Sequence, residues 1–249
     1  KFRVANSLFD KQTFRQVKTM KSKTAIIAPG TGIEDFLKSK GVNEIVYTRQ
    51  NPLIQPALAF HPDMNITFLN EKCAVVNGFQ HDTAEMLKSR GVKVIKTDFP
   101  NRKEYPFDVA LNAVCFNKKL FGLKKFLSPE LLNETEKSGI ETINCKQGYT
   151  HCSVLKISET AAVTGDKGIY EALKNNGIDT LLVTNDCIQL KGYDCGFIGG
   201  CSFMLDKDSL ALNGSLSCHP DGKRIKDFCM CHGVAFFEMS QGPLTDIGG

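Results

Sequence analysis

Apolar and polar positions recur in a fixed order along the 249-residue chain. A short apolar strand ends at a glycine, a stretch with helical spacing follows, and a second glycine leads into β-branched or aromatic residues. Five glycines take that second position, each followed by valine or isoleucine: Gly41, Gly91, Gly139, Gly177 and Gly233. Glycine tolerates the left-handed conformation that ends a helix, and a β-branched residue favours a strand. The pattern therefore predicts five helix-to-strand junctions.

The apolar strand before each helix repeats with a similar period. These strands end at glycines spaced 48, 44, 43 and 49 residues apart, namely Gly30, Gly78, Gly122, Gly165 and Gly214. Periods of this size are typical of repeat architectures. A further strand is predicted before four of them, in segments 65–69, 109–114, 153–157 and 202–205. For the first repeat the candidates are segments 17–20 and 242–249, so the sequence predicts five ββαβ units.

Two helix starts carry capping signals of their own. Asp82 and Glu85 have the spacing of a capping box, in which the first side chain caps the helix and the second reaches back. Ser128 places a capping hydroxyl before Pro129, and proline is favoured at the first helical position. We therefore predict helices that begin after Asp82 and Ser128.

Composition narrows the class of protein. A net charge of +4 spread along the chain does not indicate a nucleic-acid partner, and no apolar run has the roughly 20 residues needed to cross a bilayer. Ten cysteines in 249 residues are a lower density of cysteine than small secreted disulfide scaffolds have. Several of these cysteines lie inside apolar runs, as small buried side chains do. We expect reduced cysteines and a cytoplasmic protein, with no nucleic-acid and no membrane partner. The sequence does not indicate an oligomeric state.

Five ββαβ units closed into a ring resemble the pentein fold, an α/β propeller with five blades and pseudo-fivefold symmetry. That fold is shared by guanidino-group-modifying enzymes and by the ribosome-binding translation initiation factor six. Segments 196–205 and 242–249 also resemble those of an uncharacterised bacterial family of this fold. The resemblance implies one domain over residues 1–249, with the ring closed by the C-terminal segment. A solenoid or a two-domain α/β protein with the same element order is the alternative.

In such a ring the first strands surround the axis, so the residues that enter them converge on a central pocket. Three of these entries end in an aspartate, Asp63, Asp108 and Asp246, and His61 lies in the first of them. Carboxylates that face one pocket complement a guanidinium or ammonium group. We therefore predict a small cationic or amino-acid-like ligand. The alternative is that each aspartate only caps a turn.

Cys201 is the candidate nucleophile. It follows Gly199 and Gly200, and a glycine-rich turn before a cysteine resembles the nucleophile setting of the guanidino-modifying enzymes. Glycine lets backbone approach a ligand, so Gly200 joins the predicted ligand site. A thiolate needs a nearby base, for which His151 is the candidate, and the adjacent Cys152 is the alternative nucleophile. A buried, inert thiol is the simpler interpretation of Cys201.

Two features depart from the enzyme pattern that this resemblance implies. In those enzymes the catalytic cysteine lies on the closing C-terminal strand, where this chain has no cysteine, and their histidine is followed by an acid two residues on, where this chain has Ser153. Two functions therefore stay open. One is a cysteine-dependent hydrolase or amidinotransferase acting on a guanidino or amino-acid-like molecule. The other is a non-catalytic pentein that binds a ligand or a macromolecular partner.

No cofactor and no metal are predicted. Cysteine and histidine are concentrated near the C-terminus, at Cys218 and His219 and again in segment 229–232. Zinc sites favour two ligand pairs, each separated by two to four residues. Here the Cys229/Cys231 spacing is tight, the cysteine-histidine pairs are adjacent, and Cys229 lies beside Phe228 on the apolar stripe of its helix.

Overall fold

The computed structural model describes residues 23–99 and 102–249. Within these residues, fourteen strands form five separate sheets. The strands are β1 (Lys23–Ile27), β2 (Val42–Tyr47), β3 (Ile66–Asn70), β4 (Cys73–Asn77), β5 (Lys93–Thr97), β6 (Val114–Phe116), β7 (Lys119–Gly122), β8 (Glu141–Asn144), β9 (Val154–Lys156), β10 (Ala161–Thr164), β11 (Asp179–Leu182), β12 (Ser202–Asp206), β13 (Ser209–Leu212) and β14 (Ala235–Glu238). The helices are α1 (Glu34–Ser39), α2 (Pro62–Asn65), α3 (His81–Ser89), α4 (Pro129–Lys137), α5 (Lys167–Asn175) and α6 (Gly222–Cys231). Short 3-10 helices span Phe107–Val109, Lys124–Phe126 and Leu216–Cys218.

Four of the five sheets have one plan. In each, a central strand pairs antiparallel with the strand before it and parallel with the strand that follows the helix, as β4 does with β3 and β5. The same arrangement holds around β7, β10 and β13. A parallel partner needs a crossover connection, which the helix supplies. The predicted ββαβ repeat is thereby confirmed.

The glycines after the repeat helices have the conformation that the sequence predicts. Gly41, Gly91, Gly139, Gly177 and Gly233 have φ angles of 81°, 79°, 62°, 82° and 71°. An L side chain is strained in this left-handed region, and glycine is not. Each glycine therefore ends its helix and lets the chain turn into the parallel strand.

The capping predictions have different outcomes. The Ser128 hydroxyl accepts a hydrogen bond from the backbone N–H of Leu131 at 3.2 Å, as predicted. The capping box at Asp82 is wrong, because helix α3 begins at His81 and no side chain caps it. Asp82 instead pairs with Arg49, whose Nη2 lies 2.7 Å from the carboxylate. Asp82 therefore forms an ion pair with a residue of the neighbouring repeat instead of capping the helix as the local pattern predicts.

The predicted strand over segment 109–114 is wrong in its extent. Strand β6 begins only at Val114, and Phe107–Val109 is a 3-10 helix. The Asn112 backbone N–H donates to the Val109 carbonyl at 2.9 Å, and the Asn112 side chain bonds to other repeats. The chain therefore turns at Asn112 before it enters the sheet.

Apolar side chains bind the repeats to each other. One core cluster joins the fourth repeat, through Leu155 and Val163, with the fifth, through Leu212 and Ile225. The first strands of neighbouring repeats also lie side by side, β3 against β6 and β9 against β12. Each fully buried aliphatic side chain contributes about 1.5–3 kcal/mol. The repeats are therefore stabilised by their neighbours as well as by their own hairpins.

Strand β1 has a free edge among the described residues. It pairs with β2 alone, although each equivalent central strand has partners on both edges. The predicted first strand at 17–20 lies outside the described residues. In segment 242–249, the Gly248 carbonyl accepts a hydrogen bond from the Asp63 N–H, and Thr245 forms a bridge with Gln189. The first contact joins the C-terminal segment to the entry of the second repeat and the other joins it to the connection between β11 and β12, while closure of the ring by strand pairing stays a prediction.

No helix within residues 23–99 and 102–249 is long and apolar enough to cross a membrane.

Candidate functional site

Asp63 lies at the centre of the site, in the short helix α2 that leads into β3. Its backbone N–H donates to the Gly248 carbonyl at 3.1 Å, which fixes the entry of the second repeat against the C-terminal segment. The side chain is buried, and among the described residues no donor reaches either carboxyl oxygen with full hydrogen-bond geometry, although the Cys152 thiol and the Met64 N–H lie close enough to lower the pKa of Asp63. Buried polar groups in proteins almost always have a partner. Asp63 therefore carries unused hydrogen-bonding capacity in the interior.

Asp246 approaches the same centre from the C-terminal segment. Its Oδ2 accepts from the Phe197 backbone N–H and its Oδ1 from the Gly248 N–H, each at 3.0 Å. The Nδ1 atom of His61 lies 3.7 Å from Oδ1 and has no hydrogen-bond partner in the part of the chain that the structure describes. Two backbone donors thus orient the Asp246 carboxyl group, and His61 lies beside it.

The two carboxyl groups influence each other. Burial raises the pKa of Asp63 well above its ordinary value, and the charge of Asp246 raises it further. Burial also raises the pKa of Asp246, to about 6, against the opposing effect of its two backbone donors. Carboxyl groups that share a buried site resist joint ionisation. The pair therefore retains a proton at pH values where two exposed aspartates would both be ionised.

Both histidines of the site are neutral near pH 7. Burial lowers the pKa of His61 to about 4. Burial, together with the positive charge of Lys156, lowers the pKa of His151 to about 4 as well. The Nδ1 atom of each ring lacks a hydrogen-bond partner among residues 23–99 and 102–249. The site therefore contains excess carboxylate and no cationic histidine to balance it.

Asn112 joins Cys152 to this acidic centre. Its Nδ2 donates to the Cys152 sulfur at 2.9 Å and to the Asp63 carbonyl at 3.1 Å. Its Oδ1 accepts from the backbone N–H groups of His151 at 2.7 Å and Cys152 at 3.3 Å. Sequence reasoning missed Asn112 because it lies in an apolar run. The sequence feature that could have identified Asn112 is Asn65, because both asparagines lie shortly before a first strand. The Asn65 side chain likewise donates to backbone carbonyls, those of Ala59 and His61.

The Cys152 thiol is protonated in this environment. Burial raises its pKa well above the ordinary value, and the charges of Asp63 and Asp246 raise it further. The hydrogen bond from Asn112 opposes this effect. A bound cation would offset the two carboxylates, so the ionisation of Cys152 depends on what occupies the site.

Two cavities meet this centre from different sides. The first, here called the β1 groove, has a volume of about 470 Å³ and lies between β1, β3, β12 and segment 247–249, with Asp63 and His151 in its wall. The second, here called the tyrosine cavity, has a volume of about 270 Å³ and is lined by Tyr149, Tyr193, Cys152 and Asp246, among others. The adjacent side chains of His151 and Cys152 therefore line different cavities.

The structure does not bring all the predicted site residues together. Asp63, Asp246 and His61 meet, and Gly200 contacts Asp246 through its bare Cα. Asp108 lines neither the β1 groove nor the tyrosine cavity, and its Oδ2 accepts from the Tyr149 hydroxyl at 2.8 Å. Asp108 therefore lies behind the wall of the tyrosine cavity, where it binds Tyr149 and its charge also acts on Tyr193.

Cys201 lies in the hydrophobic core between the fourth and fifth repeats. Its thiol donates to the Ile198 carbonyl at 3.1 Å, and it lines neither the β1 groove nor the tyrosine cavity. Burial raises its pKa well above the ordinary value. Cys201 is thus a small core side chain, whereas Cys152 and the half-buried Cys195 line the tyrosine cavity.

The cysteine and histidine pairs near the C-terminus are separated in space. Cys229 is buried in the core, while Cys218 and Cys231 are exposed. His219 bonds to the Thr184 carbonyl and His232 to Asp179, each at 3.0 Å. Among residues 23–99 and 102–249, no three cysteine, histidine or acidic side chains are grouped in a way that could hold a metal ion.

Repeated ββαβ sheets with an acidic, cysteine-containing centre define a protein of the pentein fold, as the resemblance implies. The chain belongs to the family of unknown function DUF6873, whose profile matches residues 29–249. No curated protein matches the chain in sequence.

Similar solved structures include several guanidino-modifying enzymes of this fold. SxtG, an amidinotransferase from Microseira wollei, has a TM-score of 0.52 and 12% identity over 84% of this chain and 75% of its own. DDAH from Pseudomonas aeruginosa, in complex with citrulline, has a TM-score of 0.53 and 11% identity over 87% and 81%. Agmatine deiminase from C. jejuni has a TM-score of 0.50 and 11% identity over 90% and 79%. Identities this low establish the shared fold alone.

Proposed function

We propose that the chain binds a small organic cation, a guanidinium or an ammonium group, between Asp63 and Asp246. The observation that carries this proposal is the buried Asp63 carboxyl group, which lies beside a second acid and for which the described residues supply no well-formed hydrogen bond, although the Cys152 thiol lies close to it. A guanidinium group offers five N–H donors in a planar fork, and an ammonium group offers three. Such a ligand would satisfy the Asp63 oxygens and neutralise the charge that both acids share.

Binding of a cation should release protons from the two acids of the site. The free site retains a proton because Asp63 and Asp246 resist joint ionisation. A positive charge between them lowers the pKa of both acids, so binding near neutral pH releases protons. The neutral rings of His61 and His151 do not oppose the entry of a cation.

We further propose that the protein is a cysteine-dependent hydrolase or amidinotransferase in which Cys152 attacks the guanidinium carbon. Cys152 lines the tyrosine cavity together with Asp246, lies close to Asp63 on the side of the β1 groove, and receives a hydrogen bond from Asn112. Solved structures that share the fold include amidinotransferases, a deiminase and DDAH, which supports a guanidino substrate. The structural setting favours Cys152 over the sequence-based candidate Cys201, whose thiol is occupied by the Ile198 carbonyl.

In the first half of the reaction, one proton moves from the Cys152 thiol to Asp63 and from there to the leaving nitrogen. A carboxylate at Asp63 takes the Cys152 proton while the sulfur bonds to the guanidinium carbon. A carbon–nitrogen bond then breaks, and the nitrogen leaves as ammonia or an amine with that proton. In hydrolysis, water adds to the carbon and the carbon–sulfur bond breaks, which gives a neutral urea, the thiol and one proton released to solvent. In amidino transfer, a neutral amine adds instead, its proton passes to the sulfur, and the product is a new guanidinium with no proton released. His151 lines the other cavity, so its proposed role as proton shuttle requires a rearrangement of its side chain.

A non-catalytic ligand-binding pentein is the second candidate. The observation that favours it is the raised pKa of both Cys152 and Cys201, which holds each thiol protonated near neutral pH. The two candidates differ in one respect, because only the enzyme requires that a bound cation make Cys152 reactive.

Paired alkylating agents of matched shape distinguish these functions. Chloroacetamidine carries a cationic amidinium group, and chloroacetamide is its neutral counterpart. Labelling of Cys152 by each reagent at pH 7.5 is measured by peptide mass spectrometry and normalised to the exposed Cys231. We expect the ratio of cationic to neutral labelling to be at least tenfold higher at Cys152 than at Cys231.

Three variants complete the test. Asp63→Asn should abolish the preference of Cys152 for the cationic reagent, and Cys201→Ala should leave it unchanged. Equal labelling of Cys152 by both reagents would reject cation-assisted nucleophilic attack. Preferential labelling of Cys201, lost in Cys201→Ala, would assign the nucleophile to Cys201 instead. Cys152→Ala confirms the identity of the labelled peptide.

A further inference from the structure

The tyrosine cavity has aromatic walls next to the acidic centre. Its lining includes Tyr149, Tyr193 and Phe197, and it includes no residue of β1, the strand with the free edge. The ring centroids of Tyr149 and Phe197 lie 5.8 Å apart. Phe197 also donates its backbone N–H to Asp246, so this ring belongs to a residue that orients the acid. A cation bound at Asp246 would therefore have aromatic side chains beside it in the same cavity.

A buried acid fixes the ring of Tyr149. The Tyr149 hydroxyl donates to Oδ2 of Asp108 at 2.8 Å, and Asp108 is fully buried. Because Asp108 is not in the lining and binds this hydroxyl, Tyr149 contributes its ring to the cavity wall rather than a free polar group. The Tyr149 ring also contacts that of Tyr105, with the centroids 5.3 Å apart. The aromatic wall is therefore held in place before a ligand binds.

The volume of the cavity limits what it can hold. It is about 270 Å³, slightly below the roughly 300 Å³ at which pockets for drug-sized ligands begin. An apolar cavity of roughly 150 Å³ binds one benzene molecule. Tyr193 is partly exposed, so its side chain lies where the cavity meets solvent. The tyrosine cavity therefore has room for one ring on a short linker that leads inward to the acids.

The charges in the lining disfavour a carboxylate. Asp194, which is exposed, and Asp246, which is buried, both line the cavity. No lysine, arginine or histidine of the described residues lies in this lining. Aromatic faces attract cations as well, most strongly where water is excluded. A carboxylate on the substituent of a ligand would thus meet two acids and no cation, whereas an uncharged ring would meet other rings.

We propose that the tyrosine cavity binds the substituent of the cation whose head group lies between Asp63 and Asp246, and that this substituent is one uncharged aromatic ring on a short linker. The ligand class is a guanidine of benzyl type without a carboxylate, rather than an amino acid. In this position Cys152, in the same lining, lies beside the guanidinium group. The inference rests on the proposed function and names the substrate class of that site.

Binding of three guanidinium compounds, measured by isothermal titration calorimetry on the full chain at pH 7, tests this inference. Benzylguanidinium carries the ring, methylguanidinium lacks it, and 4-carboxybenzylguanidinium adds a carboxylate to the same ring. Burial of the apolar surface of the ring strengthens binding. We expect benzylguanidinium to bind at least tenfold more tightly than either of the other two compounds.

Two exposed tyrosines provide a matched pair of variants. Tyr193 lines the tyrosine cavity and is 41% exposed, while Tyr47 is 44% exposed and lines neither this cavity nor the β1 groove. Neither side chain is in the core, so both variants should fold. Tyr193→Ser should lower the ratio of benzylguanidinium affinity to methylguanidinium affinity at least threefold. Tyr47→Ser should leave this ratio unchanged.

The outcomes separate this inference from the proposed function. Equal affinities for benzylguanidinium and methylguanidinium, both lost in Asp63→Asn, would overturn the aromatic substituent while leaving the cation site intact. A ratio that is the same in Tyr193→Ser as in wild type would overturn the inference too, because the ring would then bind elsewhere. Tight binding of 4-carboxybenzylguanidinium, equal to that of benzylguanidinium, would overturn the exclusion of carboxylates. If no guanidinium compound binds at all, the proposed function fails and the inference fails with it.

Discussion

Gly200 and Asp246 are in such close contact that position 200 has no room for a side chain. A Cβ atom there would overlap the carboxyl group of Asp246. The Gly200 carbonyl also accepts hydrogen bonds from the backbone N–H groups of Ile247, at 2.9 Å, and Gly249, at 3.0 Å. The bare backbone of Gly200 therefore allows Asp246 to reach the centre of the site.

Gly200→Ala tests this contact. The overlap forces either the backbone or Asp246 to move, and overpacking of this kind typically costs between about 1 and 3 kcal/mol. We expect a loss of that size in the free energy of unfolding, measured in urea. Gly242→Ala is the control, because a Cβ there would meet nothing closer than the Ser240 hydroxyl at 3.8 Å. Equal stability of the two variants would contradict the close fit.

Asp63→Asn should change how stability depends on pH. The raised pKa of Asp63 means that the unfolded chain loses its proton near pH 4, while the native protein retains it to higher pH. Native stability therefore falls as pH rises through that window. The asparagine side chain does not titrate, so the stability of Asp63→Asn relative to wild type should rise between pH 4 and pH 8. A stability difference that is constant over this range would show that Asp63 ionises normally.

His151→Gln should protect the protein against mild acid. The unfolded chain binds a proton at this histidine near pH 6.5, but burial lowers the native pKa to about 4. Stability is therefore lost as pH falls from 6.5 to 4, by at most about 3 kcal/mol for one such group. We expect the variant to lose less stability than wild type over this range, as followed by urea unfolding. His81→Gln, at an exposed position, should match wild type; equal slopes in all three proteins would contradict a neutral His151.

Asn112→Ala should destabilise the protein strongly. The change leaves the backbone N–H groups of His151 and Cys152 without an acceptor in the interior. Each unsatisfied buried group costs about 1–3 kcal/mol, so the expected total is at least about 2 kcal/mol. Asn144→Ala removes only an acceptor for the exposed Lys124 N–H and should cost less than about 1 kcal/mol. Similar losses in urea unfolding would show that Asn112 does not organise the site.

The sequence predicts most of the fold because the signals that define it are local. A glycine after a helix, a β-branched residue after the glycine and a serine before a proline each act over a few residues, and Gly91 and Ser128 behave as predicted. The failed capping box at Asp82 has a cause that local patterns do not contain. Arg49, 33 residues earlier in the chain, pairs with the Asp82 side chain.

The site was only partly predictable, for the same reason. Asp63 and Asp246 were predicted to share a pocket because they occupy equivalent positions in the repeat. The two side chains do lie close together in the structure. The turn at Asn112 displaces the start of β6, so Asp108 binds Tyr149 instead of joining that pair. The choice between Cys152 and Cys201 depends on which thiol borders a cavity, and this is decided by packing between repeats.

Proton release on cation binding tests the central claim most directly. Methylguanidinium is titrated calorimetrically into wild type, Asp63→Asn and Asp208→Asn at pH 7, in two buffers with different ionisation enthalpies. Asp208 is exposed, so its variant changes the net charge as Asp63→Asn does without altering the site. We predict binding with proton release in wild type and Asp208→Asn, and weaker binding with less proton release in Asp63→Asn. Equal affinity and equal proton release in all three proteins would contradict a cation site at Asp63 and Asp246.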